Sequence, residues 1–162
     1  MARITKISHE ETIGRTLMLL TQTARLINKY ADAYFYKKTD VSFTKFLALK
    51  ILASASKNEV MTPTRLSEWT QTELHSVTML VDRMKKDGLV YTERSETDRR
   101  NVFIYLTDKG KEILDQVKPI ASALIEHIMS SITEADAAQL EKVLVILRDN
   151  AYDRLESLDE GS

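Results

Sequence analysis

The run Thr62-Pro63-Thr64-Arg65-Leu66-Ser67-Glu68-Trp69-Thr70-Gln71-Thr72-Glu73-Leu74-His75-Ser76-Val77-Thr78-Met79-Leu80-Val81-Asp82-Arg83-Met84-Lys85-Lys86-Asp87-Gly88 decides how this chain folds. Threonine followed by proline starts a helix, because proline at the first helical position gives up no hydrogen bond and the threonine hydroxyl caps free N–H groups. A short helix carrying Leu66 and Trp69 follows, and then the polar turn Thr70-Gln71-Thr72. Beyond it Val77, Leu80, Val81 and Met84 fall on one face of a second helix, which Gly88 ends in the left-handed conformation. Two short helices joined by a tight turn form a helix-turn-helix.

Two stretches rich in β-branched and aromatic residues come next, Leu89 to Arg94 and Val102 to Leu106, flanking the polar segment Ser95 to Asn101. They read as a β-hairpin with a charged tip. Helix-turn-helix followed at once by a hairpin is the layout of a winged helix, in which the second helix enters the DNA major groove and the hairpin reaches toward the minor groove.

Working outward, Ser8-His9-Glu10-Glu11 has capping-box spacing and opens a helix running to about Lys38. Its stripe is Ile13, Leu17, Leu20, Ala24, Ile27, Ala31 and Tyr34, at alternating steps of four and three. About 30 helical residues span about 45 Å. That exceeds what one small core needs and implies packing against a partner chain. A helix from Ser42 to Ala55 and a break at Ser54 to Asn58 precede the decisive run. After Thr107 a stripe of Ile113, Val117, Ile120, Leu124 and Ile128 marks another helix, with Pro119 inside it. Thr133-Glu134-Ala135-Asp136 caps a last one carrying Leu140, Leu144, Leu147, Ala151 and Leu158.

The stretch Leu80-Val81-Asp82-Arg83-Met84-Lys85-Lys86-Asp87-Gly88-Leu89-Val90, then Asp98-Arg99-Arg100, then Leu106-Thr107-Asp108-Lys109-Gly110, resembles the MarR family of bacterial transcriptional regulators. The resemblance covers essentially the whole chain. It implies a mainly α fold with a small β-hairpin wing: a winged helix-turn-helix DNA-binding domain at residues 42–111. Long terminal helices, residues 8–40 and 112–158, would form a dimerisation region. It further implies a homodimer on a near-palindromic, double-stranded DNA operator.

With Val77, Leu80, Val81 and Met84 turned inward, His75, Met79, Asp82 and Lys86 lie opposite, and Ser76, Thr78 and Arg83 flank them. The expected DNA-binding residues are therefore Thr72, His75, Ser76, Thr78, Met79 and Arg83, joined at the wing by Arg94, Asp98, Arg99 and Arg100. His75, Ser76 and Thr78 can hydrogen-bond base edges or phosphates, and Met79 offers apolar contact to a thymine methyl group. The family usually has basic residues where this chain has Leu74 and Met79. The resemblance makes Asp98 and Arg100 the wing's motif pair, with Arg99 or Arg100 the candidate for minor-groove insertion. The competing reading of the wing is a solvated hairpin tip with ion pairs of its own.

Tyr30, Tyr34 and Phe35 lie toward the end of the first helix, followed by Tyr36, Lys37 and Lys38. Resemblance to the family makes them a candidate pocket for a small aromatic or phenolic effector, since aromatic faces near cations suit such anions. The plainer reading is a core stripe.

Charge is uneven. Residues 1–111 hold 19 Lys/Arg against 13 Asp/Glu, a balance of +6, and residues 112–162 hold 4 against 11, a balance of −7, within a net −1. That suits a protein touching a polyanion with one part, although ordinary surface variation gives the same picture.

At 162 residues the chain allows one core, or one core plus an oligomerisation element, and 4 Gly and 2 Pro are too few for a many-turned sandwich or barrel. Zero cysteines exclude disulfides, thiolate zinc sites and thiol nucleophiles. The 3 histidines are scattered, without an i, i+4 pair, and no phosphate-binding glycine pattern exists. No metal, no cofactor and no enzymatic activity are expected. No segment reaches the length of a membrane span, and a cytoplasmic location is expected. The expected function is a sequence-specific regulator, most simply a repressor. The alternative is a winged-helix protein–protein interaction module.

Overall fold

Ser42, Thr62 and Thr133 each accept a hydrogen bond from a backbone N–H three residues on, from Lys45 at 3.3 Å, Arg65 at 3.2 Å and Asp136 at 3.1 Å. Each thereby satisfies one donor that the first helical turn leaves unpaired. The computed structural model describes residues 9–55, 60–95 and 101–159. In chain order the elements are α1 (His9–Lys38), α2 (Phe43–Ser54), α3 (Pro63–Thr70), α4 (Leu74–Lys86), β1 (Val90–Arg94), β2 (Val102–Leu106), α5 (Asp108–Met129) and α6 (Glu134–Asp159). This is the mainly α winged-helix architecture that the residue pattern implies. The chain divides into two compact units, one ending at Leu124 and the other beginning at Ile125.

The core of the first unit joins elements distant in sequence. Phe35 of α1 is fully buried, with ring centroids 5.2 Å from Phe43 and 5.4 Å from Phe46 of α2. Leu49 of α2, Leu66 of α3 and Val77, Leu80, Val81 and Met84 of α4 are buried as well. Burying one such side chain is worth about 1.5–3 kcal/mol relative to leaving it exposed, so α4 is held by the face it gives to the core.

β1 and β2 pair antiparallel, Val90 opposite Leu106 and Tyr91 opposite Tyr105, whose rings stack at 5.3 Å. The sequence did not reveal a third partner. The N–H of Ile104 donates to the carbonyl of Met61 at 2.8 Å, an isolated antiparallel bridge just before α3. It ties the hairpin to the start of the helix-turn-helix.

On α3 Leu66 is the buried residue, and Trp69 is 65% exposed. One expectation changes. The buried side of α5 is Gly110, Leu114, Val117, Ala121 and Leu124, sharing only Val117 and Leu124 with the expected stripe. Ile113, Ile120 and Ile128 are half-buried. Counting large side chains favoured the isoleucines, whereas close packing of a helix favours the face whose small residues let its backbone approach. A Cβ on Gly110 would stand 2.1 Å from the carbonyl oxygen of Leu89.

The N-terminal part of α1 leaves its stripe uncovered, Ile13 at 54% and Leu17 at 59% exposure, whereas Ala31 and Phe35 further along are buried. In the second unit α6 likewise exposes Leu140, Val143, Leu144, Ile146 and Leu147.

Candidate nucleic-acid interface

Gln71 makes the turn between α3 and α4. It adopts the left-handed conformation at φ 50°, and its N–H and that of Thr72 donate to the carbonyls of Glu68 and Ser67. The Thr72 hydroxyl donates to the Thr70 carbonyl at 3.1 Å. Glu73 then starts α4 without a side-chain cap.

α4 divides as its periodicity requires. All four inward residues are buried, and His75, Ser76, Thr78, Met79, Asp82, Arg83 and Lys86 are exposed. Two of the outward side chains are engaged on the helix itself. The Thr78 hydroxyl donates to the Leu74 carbonyl at 2.9 Å, and Arg83 Nε donates to the Met79 carbonyl at 3.3 Å. Basic residues gather in the last turn, at Arg83, Lys85 and Lys86. Arg94 ends β1 and is exposed. Asp98, Arg99 and Arg100 lie outside the described residues.

The far end of α4 is closed by Gly88, as its position in the sequence implies, and clamped by Thr107, Lys109 and Lys45, whose part in it no local pattern marks. Gly88 takes φ 71°, the left-handed conformation that lets the chain leave the helix. The Thr107 hydroxyl donates toward the Gly88 carbonyl at 2.7 Å and accepts from the Gly110 N–H at 2.9 Å. Lys109 Nζ donates to the Asp87 carbonyl at 2.7 Å, and Lys45 Nζ of α2 pairs with the Asp87 carboxylate at 2.5 Å. Leu106-Thr107-Asp108-Lys109-Gly110 is therefore the joint where α4, hairpin and α5 meet. Beside it the exposed Asp108 carboxyl is held below its ordinary range by the hydrogen bond and charge of Lys111. The Lys111 ammonium is raised reciprocally.

The three aromatic residues proposed for an effector part company. Tyr30 and Tyr34 stand with centroids 5.9 Å apart, whereas Phe35 is fully buried against α2. A depression of about 740 Å³ beside the end of α1 is lined by Asp32, Ala33, Tyr36, Thr39, Asp40, Val41 and Ser42, and by none of those three. Among the described residues no group of three or more His, Asp or Glu could hold a metal ion, and no helix is long and apolar enough to cross a membrane.

The sequence profile of the transcriptional regulator family SarA/Rot matches residues 33–117, the span from the end of α1 into α5. The HTH-type transcriptional regulator MgrA of Staphylococcus aureus is 32% identical over 128 residues, 77% of this chain and 82% of that relative. The chain belongs to the SarA/Rot family of transcriptional regulators.

Solved structures give this SarA/Rot protein its wider setting. AbsC, a MarR family transcriptional regulator from Streptomyces coelicolor, superposes with a TM-score of 0.76 at 22% identity, over 90% of this chain and 97% of the other. The MepR–DNA complex of S. aureus gives 0.71 at 17% identity, over 82% and 96%. At such identities the likeness is one of fold. The resemblance to MarR regulators read from residues 80–110 is borne out in the fold, and the family that the sequence shows is SarA/Rot.

Proposed function

We propose that this protein is a sequence-specific DNA-binding regulator that acts as a homodimer on an inverted-repeat operator. The observation that carries this reading is the division of α4. Its four inward residues are buried, and its polar side stands free on a helix-turn-helix braced by a hairpin. A helix held rigidly by one face and open along the other fits the major groove. MepR, which shares the fold, is solved in complex with DNA, and this supports DNA as the partner.

Thr72, His75, Ser76, Thr78, Met79 and Arg83 are the groups assigned to the groove, and Arg94, Asp98, Arg99 and Arg100 those assigned to the wing. Two recognition helices about 34 Å apart would meet successive major-groove faces, with half-sites about 10 base pairs apart. The uncovered apolar side chains of α1 and α6 supply the surface for a second copy. Occlusion of a promoter makes the simplest outcome repression. A small aromatic or phenolic effector, with Tyr30 and Tyr34 as its aromatic wall, would release the operator by preferring a dimer whose helix spacing no longer fits.

Electrophoretic mobility shift with genomic fragments at several salt concentrations tests the reading. Neutralised phosphates make affinity fall steeply as salt rises, so specific, salt-sensitive retardation is expected. Absent or salt-insensitive binding would overturn it in favour of a protein partner.

A further inference from the structure

Resting on that reading of α4, we propose that Met79 is the residue by which the protein tells an A·T pair from a G·C pair, through apolar contact with the thymine 5-methyl group. His75, Met79, Asp82 and Lys86 follow one another at steps of four, three and four along the exposed side. Met79, 52% exposed, sits in the middle of that line.

Its neighbours present acceptors. The Thr78 hydroxyl spends its proton on the Leu74 carbonyl, so the oxygen faces outward with lone pairs, and Asp82 offers a carboxylate. Residues 74–82 contain no Lys or Arg, and the first guanidinium, that of Arg83, is turned back to the Met79 carbonyl. The commonest device for reading guanine, a cationic fork on O6 and N7, is therefore missing from the leading two turns.

In the major groove both pair types supply one donor, the adenine N6 or cytosine N4 amino group, which Thr78 or Asp82 can accept. The two amino groups stand at different points across the groove, but a short flexible acceptor that reaches either separates the pairs only weakly. The thymine methyl is the mark of A·T that an apolar group reads, and Met79, in the middle of the exposed line, is placed among the acceptors to meet it. A flexible thioether side chain adapts to such a surface at little cost.

The test uses the full-length protein and duplexes selected by it from a random pool, in which each thymine of a half-site is replaced in turn by deoxyuridine. The wild type should lose about fourfold in affinity at one position per half-site, the factor that goes with one buried methylene-sized group. Met79→Ala should bind thymine and uracil equally there, and Met79→Leu should keep the preference. 5-Methylcytosine at that position should bind the wild type more tightly than cytosine. If a duplex is selected and bound specifically, yet no thymine-to-uracil change has an effect that Met79→Ala abolishes, the assignment of Met79 is overturned while the DNA-binding reading stands. If no duplex is selected, both fall.

Discussion

The Thr107 hydroxyl lies 2.7 Å from the carbonyl oxygen of Gly88, nineteen residues earlier in the chain. The hydroxyl oxygen in turn accepts the Gly110 N–H at 2.9 Å. One side chain thus closes the end of α4 and opens α5. Thr107→Val keeps the shape and leaves both partly buried backbone groups without this partner, so a loss of about 1–3 kcal/mol is expected. Urea unfolding measures it, and Thr107→Ser should recover most of the loss.

Gly110→Ala should be worse. The added carbon would meet the Leu89 backbone carbonyl at 2.1 Å, and backbone cannot swing aside as a side chain can. A cost of about 3 kcal/mol or more is expected in the same unfolding experiment. Gly14→Ala provides the contrast. Nothing lies within 4 Å of its added carbon in α1, so it should gain about 0.5–1 kcal/mol from helix propensity.

Replacing Arg99 and Arg100 together by alanine should weaken DNA binding and reduce the slope of log affinity against log salt by about 0.9 for each phosphate that the wing no longer neutralises. Dimer mass should be unchanged. An unaltered slope would assign the wing to structure alone.

A charge at Ile27 or at Leu144, both part-exposed apolar positions on α1 and α6, should disturb the proposed helical interface between copies. Sedimentation of Ile27→Asp and Leu144→Asp is expected to show a lighter species. A full-weight dimer in both would remove these stripes from the interface.

The Asp108–Lys111 pair, 2.8 Å apart and exposed, sets a pH expectation. A carboxyl held below its ordinary 3.8 stabilises the fold above that value and stops doing so as pH falls through the lowered one. A lysine raised above 10.5 stabilises it below that value and stops as pH rises through the raised one. The contribution should therefore be flat through neutrality. Solvent screening keeps it small, so Asp108→Asn should shift the urea midpoint only slightly at neutral pH, and not at all once the carboxyl is protonated in acid.

The two sides of α4 were readable where their signals are local. The inward set Val77, Leu80, Val81 and Met84 follows from helical period alone, and the outward set follows from that by rotation. Thr62 and Thr133 announce helix starts because a cap acts three residues from where it sits. What escaped were arrangements with no local mark. Trp69 has the hydrophobicity of a core residue, yet its place on α3 faces solvent. Phe35 belongs to the same aromatic run as Tyr30 and Tyr34, but one further step round the helix puts it in the core with Phe43 and Phe46.

Sequence by itself determined the helices, the turn at Gln71, the hairpin and the division of α4 into a buried and a free side, since each depends on residues within a few positions of one another. Only the tertiary structure decided which flank of α5 is covered, that Met61 bridges Ile104, and that Thr107 and Lys45 clamp the end of α4. Those outcomes depend on how closely two distant backbones approach, a distance that no spacing along one chain encodes.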